Sequence, residues 1–80
     1  DHEMLMESLR KEIGRVLKCL EVRERNIIED CFGINQPEMT LEEIGDKYGL
    51  TRERVRQIKE KALRRLREST NNKLLRSFLG

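Results

Sequence analysis

The 80-residue chain has no tryptophan, one tyrosine and two phenylalanines. So few aromatic side chains argue against a sandwich or barrel, whose strands draw on aromatic and β-branched residues to fill packed sheets. Proline is as scarce, with Pro37 alone to break a helix. No apolar run approaches the ~20 residues of a membrane span or the roughly 7 to 15 of a signal core. Cysteine occurs at positions 19 and 31 and histidine only at position 2, too few and too scattered for a four-ligand zinc site. Both cysteines stand in apolar stretches and are expected as buried or half-buried thiols in a reducing cytoplasm. With no nucleophile and base in company, no glycine-rich phosphate loop and no metal cluster, an enzyme is not expected, nor any cofactor.

What the chain does have is charge: 40% of its residues are charged, yet the formal net is only +2. The small total hides a division. Residues 1–50 hold 7 Lys and Arg against 12 Asp and Glu, whereas residues 51–80 hold 10 against 3. Charge so polarised points to an anionic partner, nucleic acid first. The chain begins at Asp1 rather than Met and reads as one small domain, residues 1–80, taken from something longer.

Helical spacing dominates, and the expected class is all-α, a bundle of about five helices. Leu9, Ile13, Val16, Leu17 and Leu20 fall on one face of a first helix over about residues 4–20. Val22, Ile27, Ile28, Cys31 and Phe32 suggest a second, closed by Gly33 in a left-handed cap. A linker follows over residues 33–39. Thr40-Leu-Glu-Glu43 has the form of a capping box and starts a third helix, burying Leu41, Ile44 and Tyr48 and stopped by Gly49. Leu50 packs inward, and Thr51 caps a fourth helix over about residues 52–68. Asn71 or Asn72 then caps a short last helix carrying Leu74, Leu75, Phe78 and Leu79.

At 100° per residue, Val55, Ile58, Ala62 and Leu66 form one buried stripe of the fourth helix. Arg52, Glu53, Arg56 and Gln57 fall on its opposite side, at the N-terminal end. A short helix, a glycine turn and a longer helix with polar residues bunched at its start is the helix-turn-helix layout, here over residues 40–68. The side chains suit base edges: Arg donates twice to guanine, Gln pairs with adenine, and Glu accepts from cytosine. Eight basic residues lie along this helix against three acids, enough for phosphate contacts as well.

The string Thr40-Leu-Glu-Glu-Ile-Gly-Asp-Lys-Tyr-Gly-Leu-Thr-Arg-Glu-Arg-Val-Arg-Gln-Ile-Lys-Glu-Lys-Ala-Leu-Arg-Arg-Leu-Arg67 closely resembles the C-terminal DNA-binding domain, region four, of bacterial primary sigma factors. Arg23-Glu24, Phe32-Gly33-Ile34 and the ending Leu74-Leu-Arg-Ser-Phe-Leu79 fit the same family in order, so that the resemblance covers about residues 7–80. It implies a winged-helix-like class without a wing, and a domain that recognises the minus-35 promoter element while docked on the β-subunit flap of RNA polymerase.

By matching position, the resemblance implies that Arg52, Glu53 and Gln57 read bases and that Arg56 meets base or phosphate. It assigns the DNA backbone to Arg23, Thr40, Leu41, Glu42, Arg54 and Lys61, with residues 40–42 acting through a helix N-terminus, itself an anion site. It assigns the flap groove to Phe32, Ile34, Leu66, Leu75 and Phe78, for which ordinary core packing is the competing reading. Lys61, Arg64 and Arg67 match positions facing activators. Cys31 stands where relatives often carry a basic backbone contact, so that contact is expected to be lost. Glu21 replaces a threonine cap, a poorer N-cap that is expected to let the second helix fray. A bacterial cytoplasmic, nucleoid-associated monomer without a membrane partner follows from the same resemblance. Two other readings stand beside it: a non-sigma helix-turn-helix regulator, and a docking module held by an anti-sigma or activator protein.

Overall fold

A computed structural model describes residues 2–80 and contains five helices: α1 (His2–Leu17), α2 (Val22–Phe32), α3 (Leu41–Tyr48), α4 (Arg52–Glu68) and α5 (Lys73–Leu79). The caps fall where the sequence puts them. Thr40 Oγ1 accepts from the Glu43 amide at 3.1 Å while Glu43 Oε1 accepts from the Thr40 amide at 2.9 Å, a reciprocal capping box. Thr51 Oγ1 accepts from the Arg54 amide at 3.0 Å, and Asn72 Oδ1 from the Leu75 amide at 2.9 Å. Gly33 and Gly49 close α2 and α3 at φ 65° and 69°, the left-handed conformation that glycine enters without a Cβ clash.

α4 is the hub, packed against α2, α3 and α5, while α1 leans on α5. Its stripe of Val55, Ile58, Ala62 and Leu66 is buried along its whole length and serves two apolar clusters. One joins Val16, Leu17 and Leu20 to Ile28, Ala62, Leu66, Leu75 and Leu79; the other joins Ile27, Cys31 and Ile44 to Val55 and Ile58. Phe32 packs against both. Among the described residues, no buried side-chain nitrogen or oxygen is left without a partner.

Four details depart from the sequence reading. α1 stops at Leu17 rather than near position 20, and the next three amides donate to the carbonyls three residues back. This tighter winding still carries Leu20 into the core but turns Cys19 outward, so that one of the two thiols is exposed. Val22, placed on the inner face of α2, is exposed. It lies on the far side of the helical wheel from Ile27, Ile28 and Cys31, and Glu24 occupies the inner position near the start. There Glu24 accepts from the Glu21 amide at 3.3 Å and from Arg65 Nη1 at 2.9 Å. The start of α2 is therefore fastened to α4 rather than frayed. Cys31 faces the second apolar cluster, and burial raises its pKa.

The joint between α2, the linker and α3 is polar. Asp30, fully buried, accepts from Lys47 Nζ at 3.1 Å on both oxygens, from Tyr48 Oη at 2.9 Å and from Gln36 Nε2. Its backbone carbonyl also accepts from the Met39 amide at 2.9 Å. Three segments thus meet on one residue, which fixes where α3, and with it the turn into α4, is held.

Candidate nucleic-acid interface

The turn between α3 and α4 is tight because position 45 carries no side chain. The Leu50 amide donates to the Gly45 carbonyl at 2.8 Å, and a Cβ on Gly45 would stand 2.6 Å from the Leu50 carbonyl oxygen. An isolated glycine inside a helix costs about 1 kcal/mol against alanine, and here close approach of two backbones explains it. This position escaped the sequence reading, although a glycine in mid-helix is a usable signal of such packing.

With the turn closed, the N-termini of α3 and α4 stand side by side. Leu41 from α3 and Arg52, Glu53 and Arg56 from α4 line one open hollow. Gln57 is exposed one residue further along, within 3.5 Å of Arg54 through its side-chain oxygen. All four residues expected to read bases are therefore exposed at one end of α4, on the side away from the buried stripe. Thr40 and Thr51 cap the two neighbouring helix starts, where the partial positive charge of each helix collects.

The charged groups there are partly paired within the helix. Arg56 Nε lies 3.1 and 3.0 Å from the two Glu53 oxygens, and its Nη1 lies 2.9 Å from Glu60 Oε1. Hydrogen bonding to Arg56 lowers the Glu53 pKa and raises that of Arg56. Glu43 is lowered by its bond to the Thr40 amide. Glu43 and Glu53 therefore face solvent as anions at neutral pH.

Of the residues expected on phosphates, Leu41 lines the hollow itself and Thr40 caps the helix start beside it. Arg54 and Lys61 are exposed on α4, Arg23 on the first turn of α2, and Glu42 on the first turn of α3. Arg64 is exposed as well, whereas Arg67 is half-buried and donates to the Leu79 carbonyl at 3.4 Å.

The apolar residues expected in a polymerase groove divide. Phe32, Ile34, Leu66 and Phe78 line one small hollow together with Leu17 and Leu79. Leu75, completely buried, belongs to the core beneath and does not line it. Phe78 is 60% exposed, with its ring centroid 6.1 Å from that of Phe32. A larger cleft of about 600 Å³ adjoins it, sharing Ile13, Leu17 and Ile34 and edged by Arg10, Lys18 and Arg25. Those three cations were missed by the sequence reading, because they come from α1, the turn after it and α2, and only the fold brings them together.

Residues 16–68 match the family described as Sigma-70, region 4. The chain is 40% identical over 80 residues to RNA polymerase sigma factor SigA1 of Synechococcus elongatus, covering 99% of this chain and 20% of that protein. It is 43% identical over 72 residues to RNA polymerase sigma factor SigA of a Nostoc species, covering 89% of this chain and 18% of the relative. SigA of Microcystis aeruginosa matches at 40% over 80 residues, 99% of this chain and 19% of the relative. The chain spans about a fifth of the length of these relatives. The family match covers both helices of the helix-turn-helix and the α2 that supports them, and so the chain belongs to the Sigma-70, region 4 family.

Proposed function

We propose that this domain reads the minus-35 element of bacterial promoters as part of RNA polymerase holoenzyme, with the N-terminal half of α4 in the major groove. The observation that carries this reading is the joint exposure of Arg52, Glu53, Arg56 and Gln57 at the end of α4 that adjoins Leu41 and the start of α3. The three side-chain chemistries match guanine, cytosine and adenine edges. Arg23, Arg54, Lys61 and the amides at the start of α3 take the phosphates, and set register and salt dependence. The hollow lined by Phe32, Ile34, Leu66 and Phe78, with its basic edge at Arg10, Lys18 and Arg25, takes the β-subunit flap. The work is cytoplasmic, and Arg64, exposed beyond the phosphate-binding Lys61, is the position left for activators.

The small reading face makes binding by the chain alone weak, and tethering within holoenzyme raises its effective concentration. Titration of labelled duplexes at several salt concentrations tests the reading. A preference for the promoter element over scrambled DNA is expected at every salt where binding is measurable; equal affinity throughout would remove direct readout. The exposed Phe78 and Leu74 favour a second role, as the seat of an anti-sigma or activator protein, to be seen as competition between that protein and core polymerase.

A further inference from the structure

Arg56 is the one base-facing residue whose role the family resemblance leaves divided between base and phosphate. A guanidinium has five N–H donors: one on Nε and two on each Nη. Three are engaged within α4, since Nε and one Nη2 hydrogen go to Glu53 and one Nη1 hydrogen goes to Glu60 at 2.9 Å. Two remain, one on each Nη, and these are the two atoms whose end-on edge spans guanine O6 and N7.

The carboxylates come from both directions along the helix, three residues before and four after. Glu53 alone holds the guanidinium by its Nε–Nη2 edge and leaves both Nη1 donors open, so that the Nη1 side can turn to a phosphate; Glu60 occupies that side. Glu60 is 59% exposed and lies on the face turned toward the polyanion, where a carboxylate gains nothing from DNA itself. Among the described residues, its contact with Arg56 is the bond that gives it a use there.

We infer that Glu60 is a positioning and specificity-determining residue for promoter reading: it holds Arg56 from the far side, so that its two free donors address a base rather than a phosphate. This rests on the promoter-reading proposal above. Exposed ion pairs are individually weak, so the hold is a bias and not a lock.

The test compares the chain with its Glu60→Ala, Glu68→Ala and Arg56→Ala variants and the Arg56→Ala/Glu60→Ala double variant, on promoter and scrambled duplexes across a salt series. Glu68 serves as the control, an exposed acid on the same helix. Both glutamates are exposed helical positions, so circular dichroism should be unchanged by either substitution. In Glu60→Ala the ratio of promoter to scrambled affinity should fall about two- to fivefold. The salt slope should steepen by roughly one as Arg56 takes a phosphate. Glu68→Ala should leave the ratio alone, and Glu60→Ala should add nothing once Arg56 is gone. An unchanged ratio in Glu60→Ala, an equal fall in Glu68→Ala, or a fall that persists without Arg56 would each overturn the assignment while leaving promoter reading intact. Absence of any promoter preference in the parent chain would overturn both.

Discussion

The two ends of α4 belong to one helix of 17 residues and do opposite things. Its C-terminal half is bolted down: Ala62 and Leu66 are buried, Arg65 is tied to Glu24 of α2, and Arg67 reaches the last carbonyl of α5. Its N-terminal half is held along Val55 and Ile58 and by Lys59 over the Phe32 ring, while Arg52, Glu53, Arg54, Arg56 and Glu60 bond within the helix or face solvent. Arginines are present in both halves, so composition does not separate them. What separates them is whether another element of the fold supplies the partner. A cation tied across to Glu24 contributes to packing, and one whose bonds stay within its own helix is offered to a ligand.

The largest blow to this contrast should come from Leu66→Ala. Emptying a fully buried leucine site at the junction of α1, α4 and α5 should cost about 2 to 5 kcal/mol in denaturant unfolding. At the open end, Arg52→Ala and Gln57→Ala should each cost about 1 to 3 kcal/mol on the correct duplex and relax base choice. Their midpoints of unfolding should stay near the parent value. Lys61→Ala should weaken all duplexes alike and flatten the salt slope; if all three behave the same, the base and phosphate assignments are wrong. Thr51→Ala removes the cap that starts α4 and should cost about 1 kcal/mol of stability, read by thermal unfolding.

The smallest effect concerns acid. Glu12 of α1 accepts from Arg15 and from Thr70 in the loop after α4, which lowers its pKa from 4.5 to about 2. A carboxylate depressed on folding contributes above its unfolded pKa and loses that contribution as pH falls through the folded one. The stability gap between the parent and Glu12→Gln should therefore be full above about pH 4.5 and close toward pH 2. A gap that stays constant over this window would show that Glu12 does not fasten the bolted end through its charge.

The helix-turn-helix was legible in the sequence because its determinants are local: Thr40, Gly49, Thr51 and the stripe from Val55 to Leu66 act within one helix or one turn. Base-facing positions followed from the same angular arithmetic. Pairings across helices were not legible. Nothing in the one-dimensional pattern joins Glu24 to Arg65, and Asp30 passed unremarked beside Cys31 because its donors lie up to 18 residues away. Val22 was misplaced for a simpler reason, hydrophobic identity having outweighed its angle on the wheel. Leu75 and Phe78 looked alike in sequence, and only the packing of α5 on α4 and α1 sends one inward and the other out.

Asp30 carries a consequence for inheritance. A carboxylate with no access to water survives only beside its donors, and the half-buried phenol beside it bonds to that acceptor in turn. Positions 30, 36, 47 and 48 are therefore not free to drift one at a time. Among homologues they should change as a set, with an apolar residue at 30 accompanied by loss of the hydroxyl at 48, while the base-reading face, which shares no bond with them, keeps its own, separate history.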